Sequence, residues 1–187
     1  MKRHLIVFSA SVMVLLLLIT STTMAEPVAL SSTEQGWATV FDVPKLSHKE
    51  VSSSELHYRF SGSTGDGVYV SLYVNLLNQR NTTKKECRAH YQSKTSRLLM
   101  VDQRTIKIEK LVMLDMVSYK AKIEFKNKMY DMPNTHFYFM LNGHCADLHV
   151  GGSPSYLNFD QVVTDIKSSL IQPSLNSNML LSNNLLF

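Results

Sequence analysis

The sequence predicts an α+β fold in which a mostly antiparallel sheet of six to seven strands carries two packed helices. Apolar and polar residues alternate in several short runs, which is typical of half-buried strands. The pair Asn142-Gly143 separates two such runs and predicts a tight hairpin, because both residues readily adopt positive φ. Two segments with apolar residues at helical spacing begin near Thr83 and Asn158, which are suitable capping residues.

The chain begins with a pattern typical of an export signal. Lys2 and Arg3 precede a long apolar run, and Thr23 and Ala25 supply small residues at the positions that a signal peptidase reads. We interpret 1–25 as a signal peptide and expect a periplasmic or secreted protein. An uncleaved membrane anchor is the alternative, because the apolar run is close to the shortest that spans a bilayer.

A single domain is expected after the signal. Of the 187 residues, 25 would be removed and 162 would remain, a length typical of one domain. We place an α+β domain at 37–171, between a flexible polar leader at 26–36 and a mobile tail at 172–187. No transmembrane segment is expected after cleavage.

The charge of the mature chain is nearly balanced. Removing Lys2 and Arg3 from the 19 basic residues leaves 17 against 15 acidic ones, a net charge of +2. A charge so close to zero gives no support for nucleic-acid binding.

Three strands are expected before the first helix. The first runs from Trp37 to Pro44, which cannot donate to a sheet ladder. After a polar loop at 45–54, the second strand alternates around Tyr58. The third places five apolar residues on one face and leaves the tyrosines on the other: Val68, Val70, Leu72, Val74 and Leu76.

The link between the second and third strands is rich in glycine. A phosphate-binding loop would end in Lys-Ser/Thr and open a helix, whereas a strand follows here. We therefore expect a hairpin loop, and an exposed recognition loop for a partner is the alternative. The candidate partner-binding residues in this loop are Gly62, Ser63, Thr64, Gly65 and Asp66.

The first helix is expected to begin at Thr83, whose spacing from Glu86 matches a capping box, and to end near Leu99. Cys87 and Tyr91 fall on its apolar stripe. The helix is basic, which indicates either a solvated face or an anion-binding surface. Three of its basic side chains are further candidate partner-binding residues: Lys84, Lys85 and Arg88.

Four strands and a helix complete the predicted order. Strands are expected at 103–111 and 117–125, and a turn at 127–133 leads into the Asn142-Gly143 hairpin. The last helix should begin after Asn158 and end before Pro173.

The tight turn fixes the register of the hairpin and therefore the composition of its two faces. His136 should lie opposite His149, and Met140 opposite Cys145. One side is a core face made of Phe137, Phe139, Leu141, Ala146 and Leu148. The other, which we call the mixed face, carries His136, Tyr138, Met140, Cys145, Asp147 and His149.

The mixed face contains a candidate metal site. His136 and His149 would be direct cross-strand neighbours, with Asp147 diagonally within reach. Two imidazoles and a carboxylate suit zinc or copper. The alternative is a set of polar side chains that bond one another with no cofactor, because cross-strand polar pairs commonly stabilise sheets.

The two cysteines, Cys87 and Cys145, suggest one disulfide in an oxidising compartment. The bond would draw the first helix across the mixed face, because the two Cα atoms must come within about 7 Å. Two buried thiols are the alternative, and a free Cys145 beside His149 would be a candidate nucleophile. No serine elbow, paired acid motif or HExxH supports a hydrolase, so we predict no catalytic residue.

The chain resembles the PsbP-like α/β sandwich, the fold of the lumenal oxygen-evolving subunit of photosystem II and of many small exported bacterial proteins. The resemblance covers the opening strand 37–44, the pair YRFSG and VYVSLYVN, and LHVGG followed by FDQVVTDIKSSL. The chain is also similar in spacing to small exported proteobacterial proteins of unknown activity. The resemblance implies a non-enzymatic domain that docks on another protein.

These observations predict an exported non-enzymatic binding domain that acts through a protein partner, as a subunit, an inhibitor or a toxin-neutralising protein. The first alternative is a metal-binding or enzymatic domain centred on His136, Asp147 and His149. The second is attachment to anionic surfaces through six basic residues: Lys84, Lys85, Arg88, Arg97, Lys120 and Lys122.

Overall fold

The computed structural model describes residues 25–77, 82–95, 98 and 100–171. Within these residues the order is five strands, a helix, four strands and a helix. The strands are β1 (Ala25–Ser32), β2 (Trp37–Pro44), β3 (His48–Ser53), β4 (His57–Ser63), β5 (Val68–Asn75), β6 (Lys107–Lys110), β7 (Leu114–Phe125), β8 (Lys128–Leu141) and β9 (His144–Gly152). The helices are α1 (Lys84–Thr95) and α2 (Phe159–Ile171), and a short 3-10 helix spans Gln103–Thr105.

Seven of these strands form one antiparallel sheet in the order β3-β4-β5-β9-β8-β7-β6, and β1 pairs with β2 in a separate antiparallel ribbon. The predicted α+β class is therefore confirmed. The ribbon of β1 and β2 lies with α2 on one face of the sheet, and α1 packs on β7, β8 and β9 on the opposite face.

The larger core lies between the sheet and the layer made of β2 and α2. Phe41 of β2 and Ile166 of α2 are fully buried against Leu72, Phe137 and Leu148 of the sheet. Burying a side chain of this size stabilises the fold by about 1.5–3 kcal/mol. The core face predicted for the hairpin is thus the centre of the domain.

A smaller core lies under α1. Cys87 and Tyr91 of the helix are buried against Val117, Tyr138 and Cys145 of the sheet. The helix begins with the predicted capping box, in which the Thr83 backbone N–H donates to the Glu86 carboxylate at 2.7 Å and the Glu86 N–H donates to the Thr83 hydroxyl at 3.3 Å.

The central hairpin has the predicted register. Leu141 pairs with His144, Met140 with Cys145, and so on to His136 with His149. Asn142 and Gly143 have φ values of 45° and 81°, as a type I′ turn requires. The two-residue turn therefore decides which side chains share each face of the molecule's two central strands.

The flexible leader predicted at 26–36 is corrected by the structure, because 25–32 forms β1. Each residue of β1 has a partner on β2, from Ala25 opposite Pro44 to Ser32 opposite Trp37. Val28 is buried in the main core, while most of the strand stays exposed. The strand has two large apolar residues, Val28 and Leu30, too few to predict it by alternation, and its order comes from pairing with β2.

The loop predicted at 45–54 is also corrected, because it contains β3. Every residue of β3 is exposed, and the strand has β4 as its one neighbour in the sheet. An exposed edge strand needs no apolar alternation, and charged side chains are common on such edges. The hydrophobic pattern therefore gives no signal for it.

The turn predicted at 127–133 is shorter than expected. Lys126 and Asn127 form a two-residue turn with φ values of 49° and 58°, and β8 begins at Lys128. Pro133 lies inside β8, just beyond the last pair with β9 at Asn134. A proline is compatible with that position, because β7 is the one strand beside it.

The signal peptide predicted at 1–25, apart from Ala25, and the mobile tail predicted at 172–187 lie outside the described residues. Among the residues that are described, neither helix is long and apolar enough to span a membrane.

Candidate functional site

A disulfide between Cys87 and Cys145 fastens α1 to the mixed face. The two Cα atoms are 5.3 Å apart, and both residues are fully buried. The predicted disulfide is confirmed. Because the chain has two cysteines and both are in this bond, the alternative of a free, nucleophilic Cys145 beside His149 is excluded.

The helix covers one end of the mixed face. The Tyr91 ring stacks on Tyr138 with centroids 6.2 Å apart, and the Tyr91 hydroxyl accepts a hydrogen bond from the Asn75 side chain. Burial raises the pKa of the Tyr138 phenol, which therefore stays neutral. This end of the face is part of the second core.

The other end of the mixed face contains a buried hydrogen-bonded chain. His136 Nδ1 lies 2.8 Å from an Asp147 carboxylate oxygen, and His136 Nε2 lies 3.2 Å from the Tyr119 hydroxyl. In the neutral imidazole, Nδ1–H donates to Asp147 and Nε2 accepts from Tyr119. All three residues are buried, and both ring nitrogens of His136 have protein partners.

His149 lies beside this chain with its ring stacked on His136. The ring centroids are 4.3 Å apart and the planes differ by 17°. His149 Nε2 lies 2.9 Å from the Asn134 side-chain oxygen, to which it can donate. Desolvation, with a smaller contribution from His136, lowers the pKa of His149 to about 3, so this imidazole is neutral at pH 7.

The three predicted metal ligands are therefore brought together in a geometry that does not converge on one ion. The stacked rings direct their nitrogens toward Tyr119, Asp147 and Asn134 instead of a shared point. Across the described part of the chain, no group of three or more His, Cys, Asp or Glu side chains is placed to hold a metal. The observed arrangement matches the alternative in which polar side chains bond one another.

Asp147, His136 and Tyr119 are hydrogen-bonded in the order of a catalytic relay. The pKa of Tyr119 decides whether its phenol could act as a nucleophile. A reactive phenol needs a lowered pKa. Here desolvation, followed by the charge of Asp147, raises the pKa of Tyr119 to about 12. Tyr119 therefore stays protonated. The three hydrogen-bonded side chains hold the strands together and do not activate this phenol.

The glycine-rich candidates form the end of a hairpin, as the loop prediction expects. Gly62 and Ser63 belong to β4, and a side chain at Gly62 would collide with the Leu46 side chain and the His48 carbonyl. The Thr64 hydroxyl accepts a 2.9 Å hydrogen bond from the first backbone N–H of β5. Only Gly65 and Asp66 of the five candidates are fully exposed.

Two of the three candidates on α1 have internal partners. Arg88 donates to Asp115 at 2.8 Å, and the Lys84 ammonium lies 3.5 Å from the other oxygen of the same carboxylate. Lys84 also donates to the Val112 carbonyl at 3.0 Å. Since Asp115 is 2% exposed, these contacts tie α1 to β7, and Lys85 is the candidate that remains exposed.

Two more of the six basic residues suggested for binding to anionic surfaces also have an acidic partner within the protein. Lys122 lies 2.9 Å and Lys120 4.0 Å from Asp131, whose carboxylate offsets part of their charge. Arg97 lies outside the described residues.

An exposed group that sequence reasoning did not select lies on the same side of the sheet as the mixed face. Arg59 of β4 pairs across the strands with Tyr73 of β5, and its guanidinium carbon lies 5.4 Å from the centre of the Tyr73 ring. Tyr69 of β5 is 38% exposed, and its ring lies 6.2 Å from His149. We call Arg59, Tyr69 and Tyr73 the Arg59 patch.

A sequence signal for the Arg59 patch exists. The alternation of β5 assigns Tyr69 and Tyr73 to its polar side, and large aromatic residues on a solvent side often serve recognition. Adding Arg59 requires the register between β4 and β5, which no tight Asn-Gly turn specifies. The register makes these residues adjacent. The position of α1 leaves Arg59 and Tyr69 exposed, whereas Tyr73 is half-buried against the second core.

No protein-family model matches the chain, and no curated protein does. The function must therefore be argued from the residues themselves.

Proposed function

We propose that this protein is an exported, non-enzymatic domain that binds a protein partner through the Arg59 patch. The observation that carries the proposal is an exposed arginine beside an exposed tyrosine, Tyr69, and a half-buried one, Tyr73, on one face of the sheet. Tyrosine and arginine are enriched among residues that dominate the free energy of protein–protein binding. The partner would be one for which this domain is a subunit, an inhibitor or a neutralising protein.

The patch is built on strands that are held on both sides. β4 lies between β3 and β5, and β5 lies between β4 and β9. Ser61 and Ser71, which pair across these strands on the patch side, are both buried. Side chains on such elements lose less conformational freedom on binding than side chains on loops, which favours affinity.

The buried end of the mixed face supports a binding function over an enzymatic one. Tyr119 is a neutral phenol, His136 has both nitrogens occupied, and neither cysteine is free. The resemblance of the sequence to PsbP-like docking domains agrees with this interpretation.

Export is supported by two independent features. The start of the sequence has the pattern of a signal peptide, and Cys87 and Cys145 form a disulfide of the kind that persists in oxidising compartments. A periplasmic or secreted partner follows from that location.

Affinity capture tests the proposal. Tagged wild-type protein and Tyr69→Ala would be used to capture partners from the envelope and secreted fractions of the source organism. Tyr130→Ala is the matched control, because Tyr130 lies on the β7–β8 hairpin, away from the patch. We expect one stoichiometric partner that wild type and Tyr130→Ala retain, and at least about a 30-fold loss of affinity in Tyr69→Ala. Equal binding by all three proteins, or no stoichiometric partner, would contradict the proposal.

A further inference from the structure

We propose that Arg59 binds a carboxylate in an acidic segment of the protein partner; this inference rests on the proposed function and names the chemistry of its contact. The starting observation is that Arg59 belongs to none of the ion pairs found among the described residues. An exposed guanidinium held in place without a carboxylate is suited to receive one from outside.

No acidic side chain on the sheet face around Arg59 forms an ion pair with it. Alternation and register place Arg59 as the only arginine or lysine on this side of β3, β4, β5 and β9. Of the two acids there, Asp147 is buried and bonded to His136, and Glu50 acts on Arg59 only weakly from β3. His149 is neutral at pH 7, so it neither competes for a carboxylate nor repels Arg59.

Tyr73 positions the guanidinium, which lies over its ring in a cation–π contact. The nearby Tyr69 side chain is the largest cause of the raised pKa of Arg59. A guanidinium has five N–H donors, so donors remain for an incoming group. A carboxylate matches two of them at once, and this paired geometry is not available to lysine.

Small residues surround the patch along β5 and β9. Ser71 lies between Tyr69 and Tyr73 on the same side of β5, and Gly151 of β9 pairs with Tyr69. Ser71 and Gly151 are both buried, because neighbouring side chains cover them. The acidic side chain of a partner would therefore reach Arg59 from above the side chains of the patch.

A carboxylate fits these observations better than a nucleic-acid backbone. Phosphate chains are held by several lysine or arginine side chains at once, and their binding depends on that number. The patch offers one such cation. One arginine can hold a single carboxylate through two hydrogen bonds, and tyrosine and arginine are enriched at the centres of protein interfaces.

Titration of the isotope-labelled full chain with two synthetic peptides tests the inference. The probes are a ten-residue glutamate-rich peptide and the same peptide with glutamine at each glutamate. We expect the acidic peptide to shift the backbone amide resonances of Arg59, Tyr69 and Tyr73, and the glutamine peptide to leave them unchanged. Arg59→Gln should abolish the shifts, and Arg59→Lys should weaken binding at least about tenfold.

Arg104→Gln is the control, because it removes the same charge from an exposed arginine elsewhere. It should bind the acidic peptide like the wild type, and the spread of amide resonances in each variant shows that it is folded. Shifts that survive in Arg59→Gln, or the absence of saturable shifts in wild type, would overturn the inference.

The capture experiment separates this inference from the proposed function. If Tyr69→Ala releases the partner and Arg59→Gln retains it, the carboxylate contact is wrong and the binding surface stands. If both variants retain it, both proposals are wrong.

Discussion

One face of the sheet has a covered end, around His136 and Asp147, and an open end, around Arg59 and Tyr69. The two ends differ in accessibility more than in residue types. Around His136 and Asp147, imidazole, carboxylate and phenol groups are buried and bonded to one another. Around Arg59 and Tyr69, similar polar and aromatic side chains are open, and the charge of Arg59 has no ion-pair partner among the described residues. The comparison shows that residue types alone do not identify a site, because satisfied polar groups stabilise the fold and unsatisfied exposed groups remain available for binding.

Removing the disulfide should have the largest effect on the covered end. The bond closes a separation of 58 residues, and Cys87→Ala with Cys145→Ala should lower the free energy of unfolding by about 2–5 kcal/mol. Denaturant unfolding of the double variant measures the change. Binding of the acidic peptide should survive wherever the variant remains folded. An unchanged unfolding midpoint would show that the bond does not secure α1.

Breaking the ion pairs beneath α1 should cost somewhat less. Asp115→Ala leaves Arg88 and Lys84 without their buried carboxylate, and we expect a loss of about 2–3 kcal/mol, since the partly exposed lysine can return to water. Asp131→Ala is the matched control, because its pairs with Lys120 and Lys122 are exposed and should contribute less than about 1 kcal/mol. If thermal or denaturant unfolding showed that Asp115→Ala and Asp131→Ala lose the same free energy of unfolding, the buried ion pairs would contribute no more than the exposed ones.

The stability of the covered end should also depend on pH through His149. Its pKa is about 3 in the fold and about 6.5 in an unfolded chain, so the unfolded chain binds the proton more readily. The contribution is therefore fully present above pH 6.5 and is lost progressively as the pH falls toward 3. Between pH 6.5 and 5 the loss should reach at most about 2 kcal/mol.

His149→Asn is the comparison for that pH dependence, because the amide has no proton to gain. Unfolding of both proteins would be measured from pH 7.5 to 5. The difference in their unfolding free energies should narrow as the pH falls, and parallel curves would show that His149 is not held neutral by the fold.

Metal removal should have the smallest effect. Since both nitrogens of His136 and Nε2 of His149 have protein partners, we expect chelation to leave the melting temperature unchanged within about 1 °C and added zinc to do the same. A metal bound only by the folded chain must raise its stability, so a clear shift on chelation would restore the metal site.

Much of the sheet's centre could be predicted from the sequence because the information is local. Asn142-Gly143 specifies a turn, the alternation specifies the faces, and the register then follows for every pair up to His136 and His149. The turn and the two faces depend on residues close together in the sequence. The disulfide is predicted differently, from the presence of two cysteines in a chain expected to be exported.

The edges could not be predicted in this way. β1 and β3 lack a sustained alternation of large apolar residues, and each is ordered by pairing with β2 or β4, a partnership that no local pattern specifies. The Lys126-Asn127 turn lacks the glycine that marks the central hairpin. Positive φ at such residues is uncommon and follows here from closure of the long β7–β8 pair.

The candidate sites show a similar limit. A cross-strand pair of histidines at one spacing can stack or can share a metal, and the choice depends on the partners that Tyr119 and Asn134 supply. Likewise, the openness of Arg59 and Tyr69 depends on where α1 packs. The geometry of the histidine pair and the exposure of Arg59 and Tyr69 both depend on the assembled fold. Neither can be predicted from the alternation of a single strand.

The central claim is that the open end of the face binds the partner and the covered end stabilises the fold. Calorimetric titration of the captured partner against wild type, Tyr69→Ala and Asp115→Ala tests it most directly, with unfolding measured on the same samples. We predict that Tyr69→Ala loses at least about 30-fold in affinity with little change in stability, while Asp115→Ala loses stability and retains affinity. A Tyr69→Ala variant that binds like the wild type would contradict the account.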